Sequence, residues 1–212
     1  TFVNYMMTGV DQLFMGMEMG TEVKLSPSLI ATAAYATGDF IYNSRPTATI
    51  VQDNSTELLA EEKTVYIQNY RIGGMPQTAA SFGMKYNSSK FWFLGVSANY
   101  FEDTYLDFNP DRRTDETLEG FVSTDPQTAE ILDQAKLEPG YTIDLFLGKS
   151  WKIQYGEYLR FNISVSNLLD VQDFETGGFE QLRYDRMDIE KFPARIGYLY
   201  GRSYFAMISY IF

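Results

Sequence analysis

The last twelve residues, Gly201–Phe212, read GRSYFAMISYIF, and the interpretation of the whole chain starts from them. Every second residue from Phe212 back to Tyr204 is apolar or aromatic, whereas the residues between them are mixed. In an extended strand, alternate residues share one face. A tilted strand of roughly 9–11 residues is long enough to cross a bilayer. The stretch therefore predicts either a membrane-spanning strand with an aromatic end or the final strand of a soluble sandwich.

Composition excludes several classes of protein. The chain has 212 residues, a net charge of −11, and neither Cys nor His. Disulfides, thiolate and imidazole metal sites and Ser-His-Asp triads are thereby excluded, and we expect a non-enzyme without a cofactor. The acidic charge argues against a nucleic-acid partner. No uncharged apolar run reaches the roughly 18 residues of a membrane helix. Because the chain begins at Thr1 without a signal peptide, we expect it to be mature or incomplete.

Alternation of apolar and polar residues recurs along the chain, with the period of two that a half-buried strand requires. It is clear in Met15–Leu25 and clearest in Tyr141–Ile153, where only Lys149 interrupts the apolar row. We expect the third strand to be kinked at Gly73–Pro76. In all, the pattern predicts seven strands, over residues 13–25, 29–43, 64–86, 90–102, 140–153, 157–168 and 197–212.

The connections between these strands alternate in length. Short turns are predicted at 26–28, 87–89 and 154–157, and long connections near 44–63, 102–139 and 169–195. Residues 55–62 are compatible with a helical turn, and a helix is predicted to start at Asp125, with Pro126 in its first turn. Short periplasmic turns and long extracellular loops are typical of outer-membrane barrels.

These features predict an all-β fold, an antiparallel transmembrane β-barrel of the bacterial outer membrane. Single-chain bacterial barrels have even numbers of strands, whereas seven are predicted here. We therefore interpret residues 1–212 as the C-terminal arc of a larger barrel.

Several motifs carry a resemblance to a known family. They are Ser166-Asn167-Leu168-Leu169-Asp170, the stretch from Pro193 through Gly201-Arg202-Ser203-Tyr204-Phe205 to Phe212, GGMPQTAASFGMKY (Gly73–Tyr86) and NYFEDTYLDFNPDRRT (Asn99–Thr114). With them the chain resembles the C-terminal barrel segment of TonB-dependent outer-membrane receptors. The form it resembles is found in Bacteroidetes and carries a carboxypeptidase-regulatory-like domain.

The resemblance implies a barrel of about 22 strands with an N-terminal plug. Such a receptor imports a scarce nutrient with the proton-motive force. Its implied partners are outer-membrane lipid and lipopolysaccharide, the remaining barrel and plug, and TonB-ExbB-ExbD through the plug. A surface lipoprotein is a further candidate partner. The plug and the earlier strands would lie upstream or on a separate polypeptide.

The acidic loop over 102–139 supplies the candidate ligand-binding residues. Tyr105, Phe108 and Phe121 would line an extracellular vestibule, or else pack the loop on itself. Arg112 and Arg113 would contact an anionic substrate or a lipopolysaccharide phosphate, or else pair with neighbouring acidic residues. Four carboxylates could gather Ca²⁺, but their spacing is not that of an EF-hand, so no metal site is predicted: Asp107, Asp111, Asp115 and Glu116.

Two alternatives to a transporter stay open at this point. A receptor-like barrel could serve as a structural or assembly subunit of an outer-membrane complex. A soluble β-sandwich could act as a binding module. An upstream plug with a TonB-binding segment favours the transporter, a stable complex without either favours the assembly subunit, and solubility without detergent favours the sandwich.

Overall fold

The computed structural model describes residues 3–55, 57–120, 124, 126–185 and 187–212. Its strands are, in chain order, β1 (Val3–Thr8), β2 (Gln12–Lys24), β3 (Leu29–Tyr42), β4 (Thr47–Gln52), β5 (Leu58–Thr64), β6 (Thr78–Asn87), β7 (Trp92–Glu102), β8 (Gly140–Gln154), β9 (Glu157–Ser166), β10 (Glu175–Phe179), β11 (Arg195–Tyr198) and β12 (Ser203–Ile211). The helices are α1 (Asp115–Leu118), α2 (Pro126–Leu132) and the 3-10 turns Pro110–Arg113 and Ile189–Lys191. Among the described residues, no helix has both the length and the apolarity needed to cross a membrane.

Seven strands form one antiparallel sheet, here called the wall, in the order β12-β9-β8-β7-β6-β3-β2. The all-β, antiparallel prediction is confirmed, and each of the seven predicted strands has a counterpart in the wall. Short turns join β2 to β3, β6 to β7 and β8 to β9 at one end. Within the described residues, the outermost strands β2 and β12 pair with the wall on one side only.

The strand register places the apolar rows on the same side of the wall. Residues directly opposite each other on paired strands share a face. Val96 lies opposite both Met84 and Leu145, and Leu145 lies opposite Val165, which in turn faces Tyr204. We call this side the outer face and the other side the inner face. At this level the outer face is therefore apolar from β6 to β12.

The inner face carries polar side chains that bond to one another. Asn99 accepts a hydrogen bond from Ser81 Oγ at 2.8 Å and donates to Thr142 Oγ1 at 3.1 Å and Asp144 Oδ2 at 3.0 Å. Asp144 Oδ1 accepts from the backbone N–H of Asn167 at 2.9 Å. Aromatic rings also lie on this face, and the ring of Phe146 covers Gly95.

Two predicted strand boundaries and one predicted helical turn are wrong. The third wall strand begins at Thr78, not at 64, because Val65 and Ile67 are fully buried away from the wall and Pro76 has no N–H for a strand ladder. The last wall strand begins at Ser203, since residues 195–198 form β11, which pairs with β10.

The third error concerns residues 55–62, which form no helical turn where they are described. Residues 58–64 form β5, which joins β4 and β1 in a separate three-stranded sheet. The helix expected from Asp125 corresponds to α2, which begins at Pro126, while Asp125 itself lies outside the described residues.

Candidate functional site

The three long connections, residues 43–77, 103–139 and 167–202, pack together at the end of the wall opposite the short turns. We call this assembly the outer block. Part of its core is apolar, with Ala48, Val65 and Ile67 fully buried against Tyr70 and Phe108. The rest of the core is polar and is organised around one arginine.

Arg113 has no exposed side-chain surface and contacts all three connections. Its Nη2 lies 2.8 Å from Glu180 Oε1, and its Nη1 also donates to the same carboxylate. Its Nη2 donates to the carbonyl of Asp133 at 2.6 Å, and its Nε donates to the hydroxyl of Tyr70 at 3.2 Å. A bidentate arginine–carboxylate pair is strong and geometrically specific. Arg113 therefore holds the outer block together from inside.

The carboxylate of Glu180 is shared with the backbone of Asn109. Its Oε2 accepts the N–H of Asn109 at 2.8 Å, and the Asn109 amide donates to the carbonyl of Gln181 at 2.8 Å. Burial by itself lowers the pKa of Arg113, but the hydrogen bond and the charge of Glu180 outweigh it and raise that pKa. Arg113 therefore stays charged inside the outer block.

Gln134 makes a second connection between segments. Its side-chain oxygen accepts the N–H of Arg71 at 2.7 Å, and its amide donates to the carbonyls of Arg71 at 2.7 Å and Leu106 at 3.1 Å. The hydroxyl of Tyr70 donates to the carbonyl of Leu132 nearby. These bonds fix the segment after α2 against the connection that precedes β6.

A cleft of about 500 Å³ lies beside this polar core, and Arg112 is on its lining. Arg112 donates from Nη2 to the carbonyl of Ile131 at 3.3 Å, and its Nη1 is 3.7 Å from Glu180. Its Nε is buried and has no hydrogen-bond partner among the described residues. Burial, together with the charge of Arg113, lowers the pKa of Arg112.

Both acidic and basic side chains line the cleft. The lining includes Arg112, Lys136, Arg183, Glu130, Asp133, Glu138, Glu175, Glu180 and Glu190. Lys136 is paired with Asp103 at 2.6 Å, and this hydrogen bond raises the pKa of Lys136. Since both charged donors and charged acceptors line it, the cleft can offer hydrogen bonds to a polar ligand that carries both charges.

The predicted ligand-binding residues have different surroundings. Arg112 borders the cleft, and Arg113 lies fully buried on Glu180, which is 67 residues along the chain rather than a sequence neighbour. Phe108 packs edge-on against Tyr42 and Tyr70, with ring centroids 5.2 Å and 6.0 Å apart.

The two remaining predicted residues are Tyr105 and Phe121. Tyr105 is half-buried, and its carbonyl accepts the N–H of Gly74 at 3.0 Å. Phe121 lies outside the described residues. Ligand contact by any of the five predicted residues stays a prediction.

Three of the four carboxylates considered for Ca²⁺ have side-chain partners. Asp111 accepts a bond from Tyr5 at 3.3 Å, Asp115 accepts from Tyr66, and Glu116 pairs with Lys63 at 2.7 Å. Within the described part of the chain, no group of three or more acidic, His or Cys side chains is placed to hold a metal ion. These carboxylates instead connect the second long connection to β1 and to the region of β5.

Sequence reasoning did not identify the residues that organise the outer block. Glu180, Asn109 and Gln134 stand in loops without a periodic pattern, and each bonds to a segment far along the chain. No local signal in the sequence marks such partners.

No protein-family model matches the chain, and no curated protein matches it. Among solved structures it is similar to the closed form of the ferric-catecholate import receptor Fiu from Escherichia coli K12, with 16% identity and a TM-score of 0.48, over 95% of this chain and 21% of that one. It is similar to a structure of the FpvAI–pyocin S2 complex, with 16% identity and a TM-score of 0.47, over 95% and 19%. It is also similar to the copper transporter OprC, with 15% identity and a TM-score of 0.49, over 97% and 24%. The chain thus spans between 19% and 24% of the length of these structures.

Proposed function

We propose that the chain is the C-terminal arc of a transport barrel in a bacterial outer membrane, of the TonB-dependent receptor type, which imports a scarce nutrient. The observation that supports this most directly is the outer face of the wall, which is apolar across seven register-matched strands. Such a face needs hydrocarbon or protein to cover it. The bonded polar network of the inner face fits a water-filled or plugged interior.

The free edges of the wall support the part of the proposal that concerns a larger barrel. All 13 residues of β2 are exposed, and its outer edge has no strand partner among the described residues. A long exposed edge is a template for pairing with another strand. We assign this edge and that of β12 to the rest of the barrel, which would enclose a plug that contacts TonB-ExbB-ExbD. The finer assignment, to the Bacteroidetes form with a carboxypeptidase-regulatory-like domain, rests on the sequence motifs.

The outer block would be the surface-exposed end of the transporter. In this proposal its cleft takes part in ligand recognition, with Arg112 supplying charge and Tyr105 and Phe121 contributing to the vestibule. Arg113 and Phe108 would support the cleft from inside, because their described contacts are with the block itself. Lipopolysaccharide would surround the block, and a surface lipoprotein could cover it.

Isolation of the native protein from outer membranes tests the proposal. We expect a polypeptide several times heavier than the 24.3 kDa of this chain, or a companion polypeptide that supplies the other strands. We also expect crosslinking in cells to TonB. A protein of 24.3 kDa without a companion would contradict the arc. A stable complex without plug or TonB contact would instead support an assembly subunit, a role that the interlocked outer block would also suit.

A further inference from the structure

One lysine lies on the outer face near the short-turn end of the wall, and a second lysine lies in the adjacent turn. Lys149 of β8 interrupts the apolar row and lies opposite Trp92 of β7 and Phe161 of β9. Trp151 follows two residues later on the same face, and Tyr86 contacts Trp92 with ring centroids 5.2 Å apart. Trp92 is the first residue of β7, so on that strand this level is the end of the apolar face, whereas the outer row of β8 continues through Trp151.

The ammonium group of Lys149 is directed towards the adjacent turn. Its Nζ donates to the backbone carbonyl of Lys90 at 2.5 Å and lies 6.0 Å from the ring centroid of Trp151. Lysines at a membrane boundary keep their methylene chains on apolar surface while the charge reaches the headgroup level. Lys90 is itself exposed in the turn, so the charge of Lys149 lies beside the backbone of a second, exposed lysine.

The nearest outer-face carboxylate along the β8–β9 pairing does not neutralise this pair. Glu157 lies opposite Gln154, five residues beyond Lys149 in β8, and its carboxylate accepts a hydrogen bond from Tyr210 at 2.6 Å. The local charge at the lysine pair is thus positive, although the chain as a whole carries a net charge of −11.

We propose that Lys90 and Lys149, framed by Trp92 and Trp151, bind the phosphate headgroup of an anionic phospholipid in the leaflet on the short-turn side. The inference rests on the proposed membrane insertion of the wall. Charge complementarity selects the occupant, since lysines near a membrane surface attract anionic lipids. Aromatic rings at headgroup level favour the boundary between headgroup and acyl chains. The apolar surface beside the pair, including Leu147, would contact the acyl chain.

The chain offers a matched control on the same strand. Lys152 lies three residues after Lys149, opposite Tyr158, and therefore on the inner face. It has the same charge and lies roughly 10 Å further along the same strand, but it would face the interior of the barrel. If the lipid site exists, substitution of Lys149 should weaken lipid retention and substitution of Lys152 should not. General attraction between a cationic rim and an anionic membrane predicts equal losses of retention in both variants.

The test inserts the whole membrane protein into phosphatidylcholine vesicles with a titrated fraction of phosphatidylglycerol and counts the retained lipids by native mass spectrometry. We expect one phosphatidylglycerol to be retained preferentially. Lys149→Gln and Lys90→Gln should each weaken its retention by about fivefold, the change expected for one lysine at an anionic surface. Lys149→Arg should keep it, and Lys152→Gln should leave it unchanged.

Each other outcome counts against the proposal. Equal losses in Lys149→Gln and Lys152→Gln, or equal retention of phosphatidylcholine, would overturn the site. Displacement of the lipid by millimolar inorganic phosphate would show a site for the free anion instead. Failure of the unsubstituted protein to insert into any of the vesicles would overturn the proposed function, whereas insertion without lipid preference would overturn this inference alone.

Discussion

The wall and the outer block are stabilised by different kinds of contact. In the wall, each strand bonds to the next strand along the sheet, and side chains alternate between two faces. In the outer block, single polar side chains join segments that are distant in sequence, as Arg113 joins Glu180 67 residues away. The wall distributes its stability over many equivalent pairs, whereas the block concentrates it on a few residues.

This difference has a consequence for substitutions. In the wall, the effect of a substitution on stability should depend on the face that the residue occupies. Its free-energy cost should be set by contact with hydrocarbon on one face and with neighbouring aromatic rings on the other. In the outer block, the effect of a substitution on stability should depend on whether it leaves a buried polar group without its hydrogen-bond partner. The following variants test that distinction.

The largest effect is expected at Arg113, because Arg113→Met removes the bidentate partner of the buried Glu180 carboxylate and leaves it with the N–H of Asn109 and with Arg112 at 3.7 Å. Breaking a buried ion pair in this way costs about 3–5 kcal/mol. Amide hydrogen exchange should show opening of the outer block at 103–139 and 167–202, while the amides of the wall stay protected. The distinction between the two regions fails if wall and block lose protection together.

The double variant Arg113→Met with Glu180→Leu is the control for this effect. It removes both charges, and replacing a buried pair by apolar residues of similar volume is often neutral or stabilising. We expect it to regain much of the lost protection. If it is as open as the single variant, the packing of the arginine chain, not the ion pair, holds the block.

The next effect concerns the faces of the wall. Leu145→Arg puts a charge on the outer face, and near the bilayer midplane this costs roughly 2–4 kcal/mol or blocks assembly. Ser164→Arg puts the same charge on the inner face of the neighbouring strand, where Ser164 lies opposite Phe146. It should be tolerated. Folding yield into lipid vesicles measures both variants, and equal yields would remove the assignment of the faces.

A smaller effect should follow from a methyl group at Gly95 in β7. A Cβ at this position would come within 2.1 Å of the ring of Phe146, so Gly95→Ala forces the ring to move. Overpacking of this kind costs about 1–3 kcal/mol. Gly20→Ala in β2 is the control, since a Cβ there would meet nothing within 4 Å. Urea unfolding from lipid should separate the two variants, and Gly95→Ala with Phe146→Leu should recover stability.

The same distinction explains what the sequence could reveal. The wall strands were predictable because alternation is a local pattern, visible within about ten residues of one strand. Even the interruption at Lys149 was visible in the sequence. The start of β6 at Thr78 was not, because it depends on the burial of Val65 and Ile67 in the outer block.

The organisation of the candidate site was far less predictable. Arg112 and Arg113 stood out in the sequence, yet nothing local indicates that Arg113 is fully buried or that Glu180 is its partner. Residues 58–64 carry three consecutive charges, at Glu61, Glu62 and Lys63, which conceal β5. Each of these segments is held in place by residues that are distant in sequence. A pattern among neighbouring residues therefore could not identify those partners.

The smallest effect is expected where the two regions meet, at Asp170. Its carboxylate accepts the backbone N–H of Arg202 at 2.7 Å, just before β12, and this bond lowers the pKa of Asp170. A carboxyl group has a pKa of about 3.9 in an unfolded chain. Because the folded value is lower, the bond contributes stability above about pH 4, and the contribution is lost as the pH falls through the folded pKa.

Asp170→Asn tests this contribution without changing the backbone, which has a φ of 58° at this residue and which Asn also tolerates. Asparagine keeps an oxygen acceptor but does not titrate. We therefore expect the protection of the Arg202 amide, which is its exchange rate relative to the intrinsic rate at the same pH, to fall as the pH drops below about 4 in the unsubstituted protein and to stay constant in the variant. Identical pH profiles would mean that the charge of Asp170 contributes nothing, and that the boundary between wall and block is held by backbone geometry alone.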